Sequence, residues 1–171
     1  MTITTVSVIG SGTMGRGIAH SAALAGYWVI LYDLTEEIVE KGVRTIRHAI
    51  DEGVRRGKTE PAAAERARAA LTATTDLAEA ARADLVIEAV PEDLELKRKV
   101  FGRLDATAAP HTLLASNTSS LSISAIAAAT HRPDRVLGLH YFNPAHLMQL
   151  VEIIRGDRTS DNTVAIARGF V

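Results

Sequence analysis

Short apolar runs alternate with longer amphipathic stretches along the whole chain. Five runs have the length and composition of buried strands: residues 6–9, 28–32, 84–87, 112–115 and 135–139. The segments between these runs are long enough to form crossover helices. Because such alternation is typical of a parallel sheet with helices on both faces, the pattern predicts a doubly wound α/β fold with a mostly parallel sheet.

Two further elements follow from the same pattern. The stretch between Asp33 and Asp84 is longer than one crossover requires, and its apolar residues recur at helical spacing after a Thr-Glu-Glu helix start at 35–37. Pro61 then begins a second helix, so we expect a helical hairpin over about 35–70 that projects from the sheet. Residues 147–154 have the composition of another strand, which we expect to pair with 135–139 as a hairpin.

Composition narrows the classes of protein without identifying a function. A chain of 171 residues can bury the core of one domain, and we assign residues 1–171 to it. Its 19 Lys and Arg nearly balance its 20 Asp and Glu, so a formal charge of −1 favours neither nucleic acid nor an anionic membrane as a partner. The sequence has no cysteine, no basic leader and no long apolar run. We therefore expect a soluble cytoplasmic protein without disulfides and without a metal site.

A glycine-rich motif lies where the first predicted strand meets the first predicted helix. It reads Gly10-Ser11-Gly12-Thr13-Met14-Gly15, and the helix should run from about Thr13 to Ala25. In this context the first glycine permits a tight turn, the second lets the backbone approach a pyrophosphate, and the third lets the helix pack closely on the strand. Amides at the helix start can then bind phosphate. The alternative is a strand-to-helix turn that binds no ligand.

Asp33, at the end of the second predicted strand, favours the nucleotide interpretation. A carboxylate here can accept hydrogen bonds from the adenosine ribose and would repel a 2′-phosphate, so the sequence predicts NAD rather than NADP. The next two residues, Leu34 and Thr35, supply no arginine that would reverse this preference. Alternatively, Asp33 could simply cap the following helix.

A histidine block near the end of the chain carries a candidate proton-transfer group. His140-Tyr141-Phe142-Asn143-Pro144 follows the strand at 135–139, at the edge where open parallel sheets bind ligands. Glu152 in the next strand would meet the imidazole across the hairpin, fix its tautomer and stabilise the charge that it gains as a base. From spacing alone, a structural role for His140 is the alternative. We assign structural roles to the remaining histidines, which are His20, His48, His111, His131 and His146.

Three other polar groups have a structural and a functional interpretation. The run Ser116-Asn117-Thr118-Ser119-Ser120 could cap the helix predicted at 121–129, or one of its hydroxyls could bind a substrate oxygen or lie beside the nicotinamide. Glu92 and Lys97 could lie on the surface of one helix. The cations at positions 55, 56 and 58 could be a solvated hairpin tip or could bind a phosphate-bearing part of the substrate.

With these residues in view, the chain resembles the NAD-binding N-terminal domain of the L-3-hydroxyacyl-CoA dehydrogenase family, in particular the 3-hydroxybutyryl-CoA dehydrogenase type. The resemblance covers essentially the whole chain. A joint match of four motifs carries it: GSGTMGRGIA at 10–19, EAVPE at 88–92, ASNTSSL at 115–121 and LHYFNP at 139–144. It implies a Rossmann-type fold and the NAD-dependent oxidation of (S)-3-hydroxyacyl-CoA to 3-oxoacyl-CoA.

The resemblance also implies roles for individual residues in the reaction. His140 would be the general base toward the 3-hydroxyl, and Glu152 would orient it. Ser119 would form a hydrogen bond near the reacting oxygen, close to the coenzyme.

Further residues would bind coenzyme and substrate if the resemblance holds. Asn143 would contact both the coenzyme and the thioester, and Glu92 and Lys97 would face NAD. Arg56 on the hairpin matches a basic family position near the phosphates of CoA. A family serine that contacts CoA is replaced here by Ala49, which puts that contact in doubt.

Family members continue into an all-helical C-terminal domain that closes the substrate cleft and forms most of a homodimer interface. We therefore expect this chain to be a truncated form that binds NADH but turns over acetoacetyl-CoA weakly or not at all. Two other functions stay open. The chain could be a non-catalytic NAD(H)-binding or redox-sensing module, or a dehydrogenase of a free hydroxy acid.

Overall fold

Seven strands form one sheet in the computed structural model, which describes residues 2–171. In chain order they are β1 Thr5–Ile9, β2 Trp28–Tyr32, β3 Leu71–Thr74, β4 Leu85–Glu88, β5 Leu113–Ser116, β6 Val136–Tyr141 and β7 Val151–Arg155. Their order in the sheet is β3-β2-β1-β4-β5-β6-β7. Strands β1 to β6 pair in parallel, and β7 pairs antiparallel with β6. The predicted doubly wound, mostly parallel fold is confirmed.

The helices connect these strands and cover both faces of the sheet. They are α1 Thr13–Leu24, α2 Glu36–Arg55, α3 Pro61–Ala69, α4 Leu77–Ala80, α5 Leu94–Thr107, α6 Ile123–Ala127 and α7 Asp161–Arg168. Val6 and Val8 of β1 belong to the core under α1, α2, α3 and α7, whereas Ile9 belongs to the core under α4, α5 and α6. Burial on both faces explains why the strands are continuous apolar runs.

The strand order reverses between β1 and β4, because β2 and β3 lie on one side of β1 while β4 to β7 lie on the other. In open parallel sheets, ligands bind in the crevice beyond the carboxyl ends of the strands at such a reversal. The glycine-rich motif follows β1, and the segment from Ala89 to Asp93 follows β4. Both therefore border the crevice.

The inserted helical hairpin is present as α2 and α3, but the prediction that it projects from the sheet is wrong. One face of α2 is buried against α1 and β3, through side chains that include Val39, Val43 and Ile46. Ala64 and Ala67 of α3 join the same core. The hairpin packs along the sheet because its apolar stripe continues over most of its length.

Strand β3 was not predicted from the sequence. Burial does not alternate along its four residues, since Thr72 and Ala73 are both exposed. The strand pairs with β2 at the edge of the sheet. The last predicted strand is shorter than expected, because residues 147–150 are irregular and β7 begins at Val151. The predicted end of α1 is nearly correct: Ala25 caps the helix, and Gly26 follows with a φ of 95°.

Two helices are capped by residues other than the capping candidates named from the sequence. Ser122, rather than the run at 116–120, caps α6 by accepting a hydrogen bond from the Ala125 amide at 3.2 Å. Thr35, rather than Asp33, caps α2. Within residues 2–171, none of the helices combines the length and the apolar character that a bilayer crossing requires.

Candidate functional site

The turn between β1 and α1 forms a cradle of exposed backbone. Gly10 has a φ of 102°, which an L side chain rarely adopts. A Cβ on Gly15 would lie 1.8 Å from the Gly10 carbonyl oxygen, so only glycine allows α1 this close to the turn. At Gly12, by contrast, a Cβ would meet nothing within 4 Å. Open space therefore faces the first amides of α1, which is where the phosphates of a dinucleotide bind.

Asp33 lies just beyond β2 and holds this turn in place. Its Oδ2 accepts hydrogen bonds from the Ser11 amide at 2.7 Å and from the Ser11 hydroxyl at 2.6 Å, while Oδ1 accepts from the Leu34 amide at 2.8 Å. The same residue lines the cavity described next. The carboxylate thus connects the phosphate cradle to the position predicted for the ribose.

Two adjoining cavities occupy the crevice at the carboxyl ends of the strands. The larger has a volume of about 1090 Å³ and reaches from the glycine turn and Asp33 to apolar side chains that include Leu34, Leu77 and Leu96. The smaller, of about 330 Å³, shares Met14, Ala89 and Val90 with it. This shape and lining fit an extended dinucleotide, with its adenosine end among apolar side chains and its other end in the smaller cavity.

The smaller cavity, called here the reaction pocket, brings together residues that are far apart in the sequence. Its polar lining residues are Glu92, Asn117, Ser119, His140 and Asn143, and its other lining residues include Tyr141 and Phe142. Five of the predicted site residues, which are Met14, Glu92, Ser119, His140 and Asn143, therefore share one pocket, although they come from separate segments of the chain. Lys97, Glu152 and Arg56 do not line it.

His140 and Glu152 lie directly opposite each other in the β6–β7 ladder. The imidazole Nδ1 is 2.8 Å from Glu152 Oε2, so the contact predicted from the hairpin is present. The Phe142 ring packs against the imidazole with a centroid distance of 4.6 Å. A proton on Nδ1 donated to the carboxylate leaves Nε2 as the acceptor, which is the tautomer that a base requires.

Lys97 is buried rather than exposed, so the surface interpretation of this residue is wrong. Its side chain is 1% exposed, and Nζ lies 2.7 Å from Glu88 Oε1 and 3.3 Å from Glu92 Oε2. Glu88 is itself fully buried at the end of β4 and accepts further hydrogen bonds from the Val90 amide and the Ser116 hydroxyl, each at 2.7 Å. Lys97 therefore lies behind the pocket wall and supports Glu92.

Glu92 is tied to the loop after β5. The Thr118 hydroxyl donates a hydrogen bond to its Oε1, and the Ser119 amide donates to the same oxygen at 3.0 Å. Burial raises the pKa of the Glu92 carboxyl, but the hydrogen bond from Thr118 and the charge of Lys97 outweigh this effect, so its pKa is lowered overall. Glu92 is consequently an anion at neutral pH.

Three residues with clear structural roles at the site were not predicted individually. Glu88 and Thr118 hold Lys97 and Glu92, and the Asn117 side-chain oxygen accepts a hydrogen bond from the Tyr141 amide at 2.9 Å, joining the loop after β5 to the end of β6. A buried glutamate at a strand end was the one sequence signal available, since it requires a partner. Its partner Lys97 is in the next helix.

Arg56 and Ala49, the two positions that the resemblance relates to CoA, do not line the reaction pocket. Arg56, just after α2, is 68% exposed in its side chain and forms an ion pair of 3.3 Å with Glu52. Ala49 lines a small cavity of about 200 Å³ together with Asn143 and His146. Asn143 therefore borders both this cavity and the reaction pocket.

The remaining histidines lie outside the reaction pocket. His131 and His111 form contacts with Asp105 and Asp84 at 2.9 and 3.4 Å. His20 stacks edge-on against His146, with ring centroids 5.4 Å apart.

Comparison with known proteins gives consistent matches. Residues 5–171 match the family described as "3-hydroxyacyl-CoA dehydrogenase, NAD binding domain". The chain is 47% identical to 3-hydroxyadipyl-CoA dehydrogenase of Escherichia coli over 95% of its own length and 34% of that protein. It is 43% identical to a probable 3-hydroxybutyryl-CoA dehydrogenase of Bacillus subtilis over 95% of its length and 57% of that protein.

Solved structures agree with these sequence matches. A crystal structure of 3-hydroxybutyryl-CoA dehydrogenase from Escherichia coli superposes with a TM-score of 0.95 at 44% identity, covering 99% of this chain and 36% of that one. That of (S)-3-hydroxybutyryl-CoA dehydrogenase from Ralstonia eutropha gives 0.94 at 40% identity, covering 98% and 59%. The chain thus spans between a third and three fifths of the length of these relatives.

Proposed function

Because the chain belongs to the 3-hydroxyacyl-CoA dehydrogenase family, in which it corresponds to the NAD-binding domain, we propose that it serves the oxidation of (S)-3-hydroxyacyl-CoA to 3-oxoacyl-CoA. The observation that carries the proposal is that His140, held by Glu152, lines a pocket that adjoins the dinucleotide crevice. A proton acceptor and a coenzyme site in one crevice are what oxidation of an alcohol requires.

His140 is the proposed general base. With Nδ1 donating to Glu152, Nε2 can accept the proton of the substrate 3-hydroxyl, and the carboxylate stabilises the imidazolium that results. When bound, NAD⁺ accepts a hydride from carbon 3 of the substrate as the proton leaves. Ser119, in the same pocket, is proposed to donate a hydrogen bond to the reacting oxygen.

The coenzyme is proposed to be held by the glycine cradle, from Gly10 to Gly15, and by Asp33. Free amides at the start of α1 bind the pyrophosphate, and the Asp33 carboxylate binds the ribose and disfavours a 2′-phosphate. In the reaction pocket Glu92 faces the coenzyme directly, whereas Lys97 acts through Glu92 because it is buried behind it.

The acyl-CoA substrate is proposed to enter between the pocket and the small cavity at Ala49. Asn143 borders both, so its amide can contact the coenzyme and the thioester together. Arg56 is proposed to attract the CoA phosphates from the hairpin end, where its exposed guanidinium suits a solvent-facing anion. We also propose that the protein is cytoplasmic and that it forms a homodimer through a further helical domain.

The proposal is tested by coenzyme binding and by turnover. We expect the 171-residue chain to bind NADH but to reduce acetoacetyl-CoA weakly, because its reaction pocket is open to solvent on one side and relatives contain additional sequence. In the longest natural form of the protein that contains it, we expect NADH-dependent reduction of acetoacetyl-CoA but not of free acetoacetate. His140→Gln should lower kcat at least about 100-fold.

Other outcomes would identify the alternatives. Equal turnover of free acetoacetate would indicate a dehydrogenase of free hydroxy acids. NADH binding without turnover of either substrate in the longest form would indicate a binding or sensing module. Rapid turnover by the 171-residue chain alone would contradict the expectation for the isolated domain.

A further inference from the structure

The Glu92 carboxylate faces the reaction pocket, yet the proton transfer to His140 does not use it. It shares the pocket wall with Ser119 and His140. Its position is fixed by the Ser119 amide and hydroxyl, the Thr118 hydroxyl and Lys97 Nζ. A carboxylate held by donors of three residues in this pocket needs an explanation beyond helix capping, which Asp93 already provides for α5 through the Leu96 amide at 2.7 Å.

The ionic network behind Glu92 does not neutralise it. Lys97 is closer to Glu88, at 2.7 Å, than to Glu92, at 3.3 Å, and Glu88 and Lys97 are both buried. These two therefore form the internal ion pair that a buried cation requires. Two carboxylates and one ammonium leave one negative charge in excess, and it lies on Glu92, whose side chain is 40% exposed at the pocket wall.

A negative charge at this wall acts differently on the two forms of a nicotinamide ring. The oxidised ring is a cation and the reduced ring is neutral, so a nearby carboxylate attracts the oxidised form and has little effect on the reduced one. Because the pocket is small and partly enclosed, any pyridine ring beside His140 shares it with Glu92.

We infer that Glu92 sets the relative affinity of the domain for NAD⁺ and NADH, and that Glu88 and Lys97 are positioning residues that hold this charge against the pocket. The inference rests on the proposed function, since it requires the reacting end of the coenzyme to bind in the reaction pocket. It assigns Glu92 a role in binding that depends on its charge.

The test is a calorimetric titration of the 171-residue chain and its Glu92→Gln variant with NAD⁺, NADH and ADP-ribose. ADP-ribose has no nicotinamide ring and reports on the rest of the coenzyme site. We expect Glu92→Gln to raise the ratio of Kd for NAD⁺ to Kd for NADH about three- to tenfold, with ADP-ribose affinity unchanged. Glu40→Gln, which alters an exposed ion-paired glutamate on α2, should leave all three affinities unchanged.

The outcomes separate this inference from the proposed function. If the unaltered chain binds none of the three ligands, the proposed function fails. If it binds them and Glu92→Gln changes NAD⁺ and NADH affinity equally, Glu92 does not discriminate by charge and the inference is wrong. A parallel loss of ADP-ribose affinity would also overturn it, because the substitution would then be acting on the shape of the whole site.

Discussion

His140 and Glu152 differ in exposure, although they form one hydrogen-bonded pair. The imidazole side chain is 18% exposed, and the carboxylate side chain is 50% exposed. Glu152 therefore keeps much of its hydration, and its replacement leaves no buried charge without a partner. Its effect on the protein should consequently appear in the chemistry of His140 rather than in folding.

Glu152→Gln is expected to lower kcat about 10- to 100-fold while changing NADH affinity and thermal stability little. The amide oxygen can still accept a hydrogen bond from Nδ1, but it supplies no negative charge to stabilise the imidazolium. Steady-state kinetics with acetoacetyl-CoA and NADH measure the effect in the longest natural form of the protein. Glu65→Gln, on the exposed side of α3, is the matched control, and an unchanged kcat for Glu152→Gln would remove Glu152 from the mechanism.

At the scale of the element, two glycines of the turn between β1 and α1 differ in what surrounds them. Gly15 is required because a Cβ at this position would overlap the Gly10 carbonyl oxygen, whereas a Cβ at Gly12 would meet nothing within 4 Å. The two glycines lie only one turn of helix apart, yet Gly15 is required by the fold, whereas Gly12 is proposed to leave room for the coenzyme.

Alanine substitution should separate these two roles. Gly15→Ala is expected to destabilise the domain by about 2 kcal/mol or more, because its methyl group overlaps backbone that cannot move independently. Gly12→Ala should fold with nearly unchanged stability but bind NADH more weakly, since its methyl group occupies the phosphate cradle. Urea denaturation and NADH titration of both variants measure this, and the opposite pattern would show that the cradle is misassigned.

The elements that the sequence predicted are those defined by neighbours along the chain. The glycine turn, the capped start of α2 at Thr35 and the β6–β7 hairpin all follow from local spacing. Strand β3 was missed because its pairing with β2 is long-range and two of its four residues are exposed. The contact between Glu88 and Lys97 was missed for a related reason: periodicity does not indicate which helix face meets a strand end.

At the scale of the whole molecule, buried titratable groups couple stability to pH. His20 lines the small cavity beside Arg16 and His146, and within residues 2–171 its Nδ1 has no hydrogen-bond partner. Burial, together with the charge of His146, lowers the pKa of His20 to about 4. Because an unfolded histidine has a pKa near 6.5, the unfolded chain binds this proton first as the pH falls.

The free energy of unfolding should therefore decrease as the pH falls from about 6.5 toward 4. His20→Gln is expected to flatten this part of the profile, and His48→Gln, at an exposed position on α2, should not. Urea denaturation at several pH values between 7 and 5 measures the slope. This range avoids the carboxyls of Asp84, Glu92 and Asp105, whose lowered pKa values affect stability at more acidic pH. Identical slopes in all three proteins would contradict the assignment.

Strand β7 is an edge strand of the sheet, so its charged residues also affect whether another chain can pair with this edge. An edge strand offers backbone groups to which another chain can add, and charged side chains on such a strand oppose that addition. Glu152 and Arg155 are both exposed on β7. Glu152, which is proposed to support proton transfer, is thus also expected to oppose intermolecular strand pairing and aggregation, so selection for solubility and selection for catalysis would favour the same carboxylate.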